Sequence, residues 1–207
     1  MTQYGFYFDA TRCTGCKTCE AACRDYHDLP LELTYRHVYE LEGGSWSQAS
    51  DGTWTTDSYT YYTSFSCSHC ANPACMHVCP TGAMHKDDNG IVSVDAHRCI
   101  GCGYCELACP YGNPHVDRTK GHSVKCDGCA ERVAAGKQPV CVEACSMRAI
   151  EFGPMDSLPS GGAPPARGIE ALPDPSVTSP NFLIKACASS QPCGSTSCVV
   201  ANAAEVK

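Results

Sequence analysis

The chain has no apolar run approaching the ~20 residues that a membrane-spanning helix needs, although 43% of its 207 residues are hydrophobic. That content suffices for one or two compact domains. Signatures of enzyme chemistry are missing as well: there is no G-x-G-x-x-G turn for a flavin or nicotinamide, no phosphate-binding loop and no nucleophile constellation. Basic residues are few, 15 against 22 acidic ones for a formal net charge of -7, which gives no support to nucleic-acid binding. The N-terminus, MTQYGFYFDATR, carries no charged n-region, apolar h-region or twin-arginine stretch. Any export is therefore expected to depend on a partner.

What the chain has in excess is cysteine: 19 residues, of which 16 fall into four groups. The first is Cys13, Cys16, Cys19 and Cys23, and the third is Cys99, Cys102, Cys105 and Cys109 followed by Pro110. Both read C-x2-C-x2-C-x3-C, the run in which three thiolates from one tight loop reach one iron-sulfur cube while the fourth ligates a second cube. The second group, Cys67, Cys70, Cys75 and Cys79 with Pro80, and the fourth, Cys126, Cys129, Cys141 and Cys145, keep the opening and closing spacings and lengthen the middle. Four groups of four ligands imply four [4Fe-4S] clusters. Zinc also takes C-x2-C pairs, so the second and fourth groups read alone would suit a zinc ribbon. A disulfide framework is the other competing reading for so cysteine-rich a chain. Regular spacing for a common metal, with three closely set cysteines in two of the groups, favours cubanes over both.

An internal repeat shows how the groups pair. DATRCTGCKTCEAAC (9–23) and DAHRCIGCGYCELAC (95–109) are identical at 10 of 15 positions, and Cys79-Pro80-Thr81-Gly82-Ala83-Met84 resembles Cys145-Ser146-Met147-Arg148-Ala149-Ile150. The second group leads into the third through a turn at Asp88-Asn89-Gly90 and a short strand, Ile91 to Val94, which together make an intact ferredoxin unit. The fourth group must then pair with the first. The expected fold is α+β: an inner ferredoxin-like unit (67–119) inserted in an outer split one (1–30 and 120–155), a β-hairpin insertion (31–66) and an extended C-terminal arm (156–207). Cross-ligation follows within each unit. The expected ligand sets are Cys13, Cys16, Cys19 and Cys145; Cys67, Cys70, Cys75 and Cys109; Cys99, Cys102, Cys105 and Cys79; and Cys126, Cys129, Cys141 and Cys23.

In the insertion, Val38–Leu41 and Ser58–Phe65 have strand character around a Gly, Ser and Asp-rich loop, and their aromatics read as core or sheet-face residues. Seven prolines between Gly153 and Pro180 argue for an extended arm lying on a surface. Each oxidised cube with four thiolates would add about -2 to the net charge by valence counting. Arg12, Lys17, Arg24, Arg98, Lys125 and Arg148, beside the loops, read either as offsetting that charge or as ordinary solubilising residues. His69 and His77 sit inside the second group. Rieske centres use histidine on iron, but the cysteines here suffice, and the histidines are expected to support the ligands or pack the loop.

The order of the four groups, with YGFYFDATRCTGCKTCEAAC, CPTGAMHKDDNGIVSVD, CIGCGYCELACPYGNP, TKGHSVKCDGC and RAIEFGP, closely resembles the iron-sulfur subunits of dimethyl sulfoxide reductases over nearly the full length. The resemblance implies a non-catalytic subunit of a heterotrimer. It would carry electrons from a membrane anchor that oxidises menaquinol to a molybdopterin-containing catalytic subunit. It also implies a peripheral place at the cytoplasmic membrane, on the periplasmic face, after export with a twin-arginine-bearing catalytic partner. The same relay in a polysulfide, tetrathionate, selenate or formate dehydrogenase complex is the alternative, and a structural zinc module the remaining one. Related nitrate reductase subunits lack one cysteine of the third group, where this chain has all four, so four cubanes are expected. Ser146 replaces the usual proline after the last cysteine. Cys187, Cys193 and Cys198, unusual for the family, match no cluster motif and read as a tail disulfide plus one odd thiol.

Overall fold

The computed structural model describes residues 2–159, 172–192 and 194–206. Its centre is β1 (Tyr4–Asp9), flanked on one side by antiparallel β10 (Ile150–Pro154) and on the other by parallel β11 (Phe182–Lys185). β1 is central and covered on both faces, so it has no polar alternation: Phe6 and Phe8 are fully buried and Tyr7 nearly so. Phe6 meets Phe152 of β10 and Phe182 of β11 at ring-centroid distances of 4.7 and 6.1 Å, which ties both ends of the chain into one aromatic core. Gly5 is required by the close approach of the tail. A Cβ there would lie 2.3 Å from the backbone oxygen of Asn181 and from Met155 Sδ. Gly5→Ala is expected to lower the thermal midpoint, by an overpacking cost of about 1–3 kcal/mol; an unchanged midpoint would show that the tail yields freely.

A second sheet joins β2 (Arg36–Gly43) to β5 (Tyr59–Ser66) in eight-residue antiparallel register, with β12 (Cys198–Val200) added along β2. The expected hairpin insertion is present, and its Gly, Ser and Asp-rich loop is itself a small hairpin of β3 (Trp46–Gln48) and β4 (Trp54–Thr56). Its aromatics divide three ways: Phe65 is buried against Phe182 and Tyr111, Tyr62 lies over the first cysteine loop, where a Cβ on Gly15 would meet its ring, and Trp46 and Trp54 of the small hairpin are exposed. Of the expected arm, 160–171 and Cys193 lie outside the described residues, and beyond them the segment supplies β11 and β12 to the two sheets. Two further hairpins, β6 (Met84–Lys86) with β7 (Val92–Val94) and β8 (His115–Asp117) with β9 (His122–Val124), follow the second and third cysteine groups. The turn between β6 and β7 is the expected one, with Asp87 Oδ1 accepting from the N–H groups of Asn89 and Ile91.

The helices are short: α1 (Thr18–Tyr26), α2 (Ala74–His77), α3 (Tyr104–Ala108), α4 (Ala130–Ala134) and α5 (Val140–Glu143). Helices of this length are marginal alone and depend on packing. Each one starts at, or carries, cysteines of a group. Among the described residues no helix is long and apolar enough to cross a membrane.

Candidate metal centres

The four C-x2-C loops share one backbone device. The residue before the second cysteine is left-handed in all of them: Gly15 (φ 69), His69 (φ 44), Gly101 (φ 65) and Gly128 (φ 68). Glycine takes this conformation without cost, so the turn curls tightly and both cysteines face inward. In the repeated pair a second left-handed residue directly follows the second cysteine, at Lys17 and Gly103, where α1 and α3 begin.

Three hollows in the protein are lined by four cysteines each. One is lined by Cys13, Cys16, Cys19 and Cys145, a second by Cys67, Cys70, Cys75 and Cys109, and a third by Cys79, Cys99, Cys102 and Cys105. In each, three cysteines come from one group and the fourth from its partner group. The three are similar in size, about 320, 350 and 330 Å³ of space in that order, part of it open to solvent. The remaining four, Cys23, Cys126, Cys129 and Cys141, are all buried, and Cys23 has Cys141 and Cys129 as neighbouring thiols.

All sixteen are unpaired thiols. Burial, then the proximity of other thiols, pushes Cys23 and Cys75 up to about 12, so they become thiolates only against a strong positive charge such as iron. Amide N–H groups already point at several sulfurs, from Gly128 to Cys126 (3.4 Å), Ala149 to Cys145 (3.3 Å) and Ser123 to Cys99 (3.3 Å). Such bonds favour a charged sulfur and tune a bound cluster.

Neighbouring sets follow one another in a line. Cys19 is close to Cys141, Cys126 is close to both Cys23 and Cys67, and Cys75 shares a small core with Cys105, Met84 and Val92. Two buried cations stand in this line. Lys125, fully enclosed, donates to the carbonyls of Val92 and Cys126, and the charges of Cys67, Cys126 and Cys75 overcome its burial and raise its pKa. Arg36 was not among the basic residues expected beside the loops. It is 1% exposed, donates to Ser64 Oγ at 3.1 Å and Ser66 Oγ at 2.9 Å, and lies over the Phe6 ring at 4.8 Å. Burial opposes its charge, and Cys141, Cys19, Cys126 and Cys23 outweigh it. Among the described residues no carboxylate pairs with Arg36, and Ser64 Oγ passes the contact on to Cys19 Sγ at 3.3 Å. Nothing near Arg36 in the sequence announces this, because its partners are brought to it by the β2–β5 pairing. By contrast Arg12 is exposed, bonding to the Arg148 carbonyl, and Arg98 bonds to Thr81 O at 2.8 Å.

The two histidines separate. His77 is exposed, with Nε2 2.7 Å from Asn72 Oδ1. His69 is fully buried, lines the second hollow and is strapped by the tail: Asn181 donates from Nδ2 to His69 O at 2.7 Å and from its amide to Ser68 O at 3.0 Å. The amides of Ala71 and Asn72 donate to Ser179 and Thr178 in the same strap. In the tail, Cys198 Sγ lies 3.7 Å from Tyr61 Oη; Cys193, and with it the expected tail disulfide, lies outside the described residues.

Paired cysteine loops feeding shared hollows on a small α/β frame define a ferredoxin-like iron-sulfur protein, and residues 58–155 match the 4Fe-4S dicluster domain. Over 205 residues, 99% of each sequence, the protein is 53% identical to the B subunit of the anaerobic dimethyl sulfoxide reductase of Escherichia coli (strain K12), and over 206 residues, 100% of each, 51% identical to that of Haemophilus influenzae. It is also 39% identical to the thiosulfate reductase electron transfer subunit PhsB of Salmonella typhi over 155 residues, 74% of this sequence and 77% of that one. The protein belongs to the family of anaerobic dimethyl sulfoxide reductase B subunits, which are iron-sulfur electron-transfer subunits and not catalytic ones.

Proposed function

We propose that the protein holds four [4Fe-4S] clusters and relays electrons from a membrane anchor that oxidises menaquinol to a molybdopterin-containing catalytic subunit reducing dimethyl sulfoxide or a similar S- or N-oxide in anaerobic respiration. The ligand sets are Cys13, Cys16, Cys19 and Cys145; Cys126, Cys129, Cys141 and Cys23; Cys67, Cys70, Cys75 and Cys109; and Cys99, Cys102, Cys105 and Cys79, in that spatial order. Bound there, the clusters supply one-electron oxidation and reduction at each position. The protein's own residues hold them apart, keep water from the middle two and place cations between them.

The observation that carries this reading is the gradient of exposure along the line. Cys16 in the first set and Cys102 in the last are exposed, whereas the two middle sets contain no exposed cysteine. A relay needs access at its ends and insulation between them. The ends also differ in chemistry. Near Cys102 in the chain, Ile100, Tyr104 and Leu107 are exposed (65%, 57% and 85%), and Glu106 and Arg118 share its surface hollow, an apolar patch with a charged edge that we assign to the membrane anchor. Beside Cys16, Lys17 pairs with Glu205, a polar rim that we assign to the catalytic subunit. The complex would sit peripherally at the cytoplasmic membrane, on the periplasmic side, exported with a twin-arginine-bearing catalytic partner.

The architecture fits one ferredoxin-like unit (67–119) inside a split one (1–30 and 120–155), with 31–66 as the insertion and 156–207 as the arm. Pairing of β1 with β10 brings the halves of the outer unit together. Anaerobically purified protein is expected to carry about sixteen iron and sixteen sulfide per polypeptide by the four-cubane count. Stoichiometric zinc without sulfide would overturn the proposal. The PhsB match supports a second reading, the same relay toward another acceptor, and assays of the complex with dimethyl sulfoxide, thiosulfate, polysulfide, tetrathionate and selenate distinguish the two.

A further inference from the structure

His69 stands where the other three C-x2-C loops have glycine, in a left-handed conformation (φ 44) that glycine takes freely and other residues take at a cost. Strain of that kind, held at a site, points to a side chain that is needed there. The imidazole is fully buried and lines the hollow of Cys67, Cys70, Cys75 and Cys109. Its Nδ1 accepts the Val92 N–H at 3.1 Å, which occupies that lone pair and puts the ring proton on Nε2. Nε2 is buried and has no hydrogen-bond partner among the described residues. An orphaned buried N–H is costly, and Phe6, stacked at 6.5 Å, cannot satisfy it.

We propose that His69 donates its Nε2–H to a sulfur of the cluster held by Cys67, Cys70, Cys75 and Cys109, either the Cys67 thiolate or an inorganic sulfide. The inference rests on the ligand assignment above. A protonated Nε2 has no lone pair for iron, so His69 is a positioning residue and not a ligand. Reduction adds negative charge to the cluster sulfurs, and a donor aimed at them stabilises the reduced form, raising the potential.

The test uses the intact complex with histidine 15N-labelled in the imidazole ring only, so that the His69 backbone amide, which also reaches Cys67, stays silent; the complex is poised so that this cluster is reduced and paramagnetic, and pulsed EPR reads the nitrogen coupling. A weak coupling is expected, from one nitrogen reached through a hydrogen bond. No coupling overturns the inference, and so does the large coupling of a directly ligating nitrogen. His69→Gly, which suits the left-handed backbone, is expected to keep about sixteen iron, lose the coupling and shift the reduction equilibrium about tenfold toward the oxidised cluster, about 59 mV for one electron. An unshifted midpoint with the iron retained also overturns it. If wild-type protein holds only about twelve iron and leaves Cys67, Cys70, Cys75 and Cys109 open to alkylation, the ligand assignment itself fails, and the inference with it.

Discussion

Cys145→Ala is expected to strip the cluster from the N-terminal cysteine run, more than a hundred residues away, and to spare the rest of its own group. Cys145 lines a hollow with Cys13, Cys16 and Cys19, while Cys126, Cys129 and Cys141 gather round Cys23. Iron should fall from about sixteen to about twelve per polypeptide. Anaerobic alkylation followed by mass spectrometry should then label Cys13, Cys16 and Cys19 and leave Cys126, Cys129 and Cys141 protected. The reverse pattern would mean that each group holds its own cluster and that cross-ligation is wrong. The damage should not stop at the metal, because Cys19 and Cys145 belong to the same core as Phe8, Val38 and Ile150, and losing the guest opens a space beneath β1.

Phe182→Ala should destabilise the protein by about 3–5 kcal/mol, the usual range for truncating a buried aromatic ring. Phe182 is 1% exposed, and its ring meets Phe65 at 4.8 Å and Phe6 at 6.1 Å, so it joins the hairpin sheet to the central strand. Thermal release of iron from the holoprotein measures the effect, and the midpoint should fall by several degrees. A change below about 1 kcal/mol, the scale of an ordinary surface substitution, would show that β11 merely rests against β1.

Sequence carried the site further than it carried the frame. Ligand spacing is a local property, so the four groups could be read directly, and the 10-of-15 repeat coupled the halves. The strands of the insertion showed by their β-branched and aromatic content, as β2 and β5 confirm. What was hidden depends on contacts between distant segments. The Pro-rich tail reads as an arm because its strands are three or four residues long and gain their partners from β1 and β2. Arg36 looks like any surface arginine until Ser64 and Ser66 close over it. His69 could be read only as a residue that supports the ligands or packs the loop; its particular role depends on the Val92 amide, which lies 23 residues along the chain.

The strap over the second cysteine loop has a consequence for biogenesis. Residues 178–181 bind the backbone of Ser68, His69, Ala71 and Asn72, and Thr178 forms part of the wall of that hollow. Synthesis proceeds from the N-terminus, so all sixteen cysteines of the four groups emerge before the segment that seals one of their sites. If a cluster is delivered during synthesis, the nascent polypeptide presents that site open, and a segment made later closes over it.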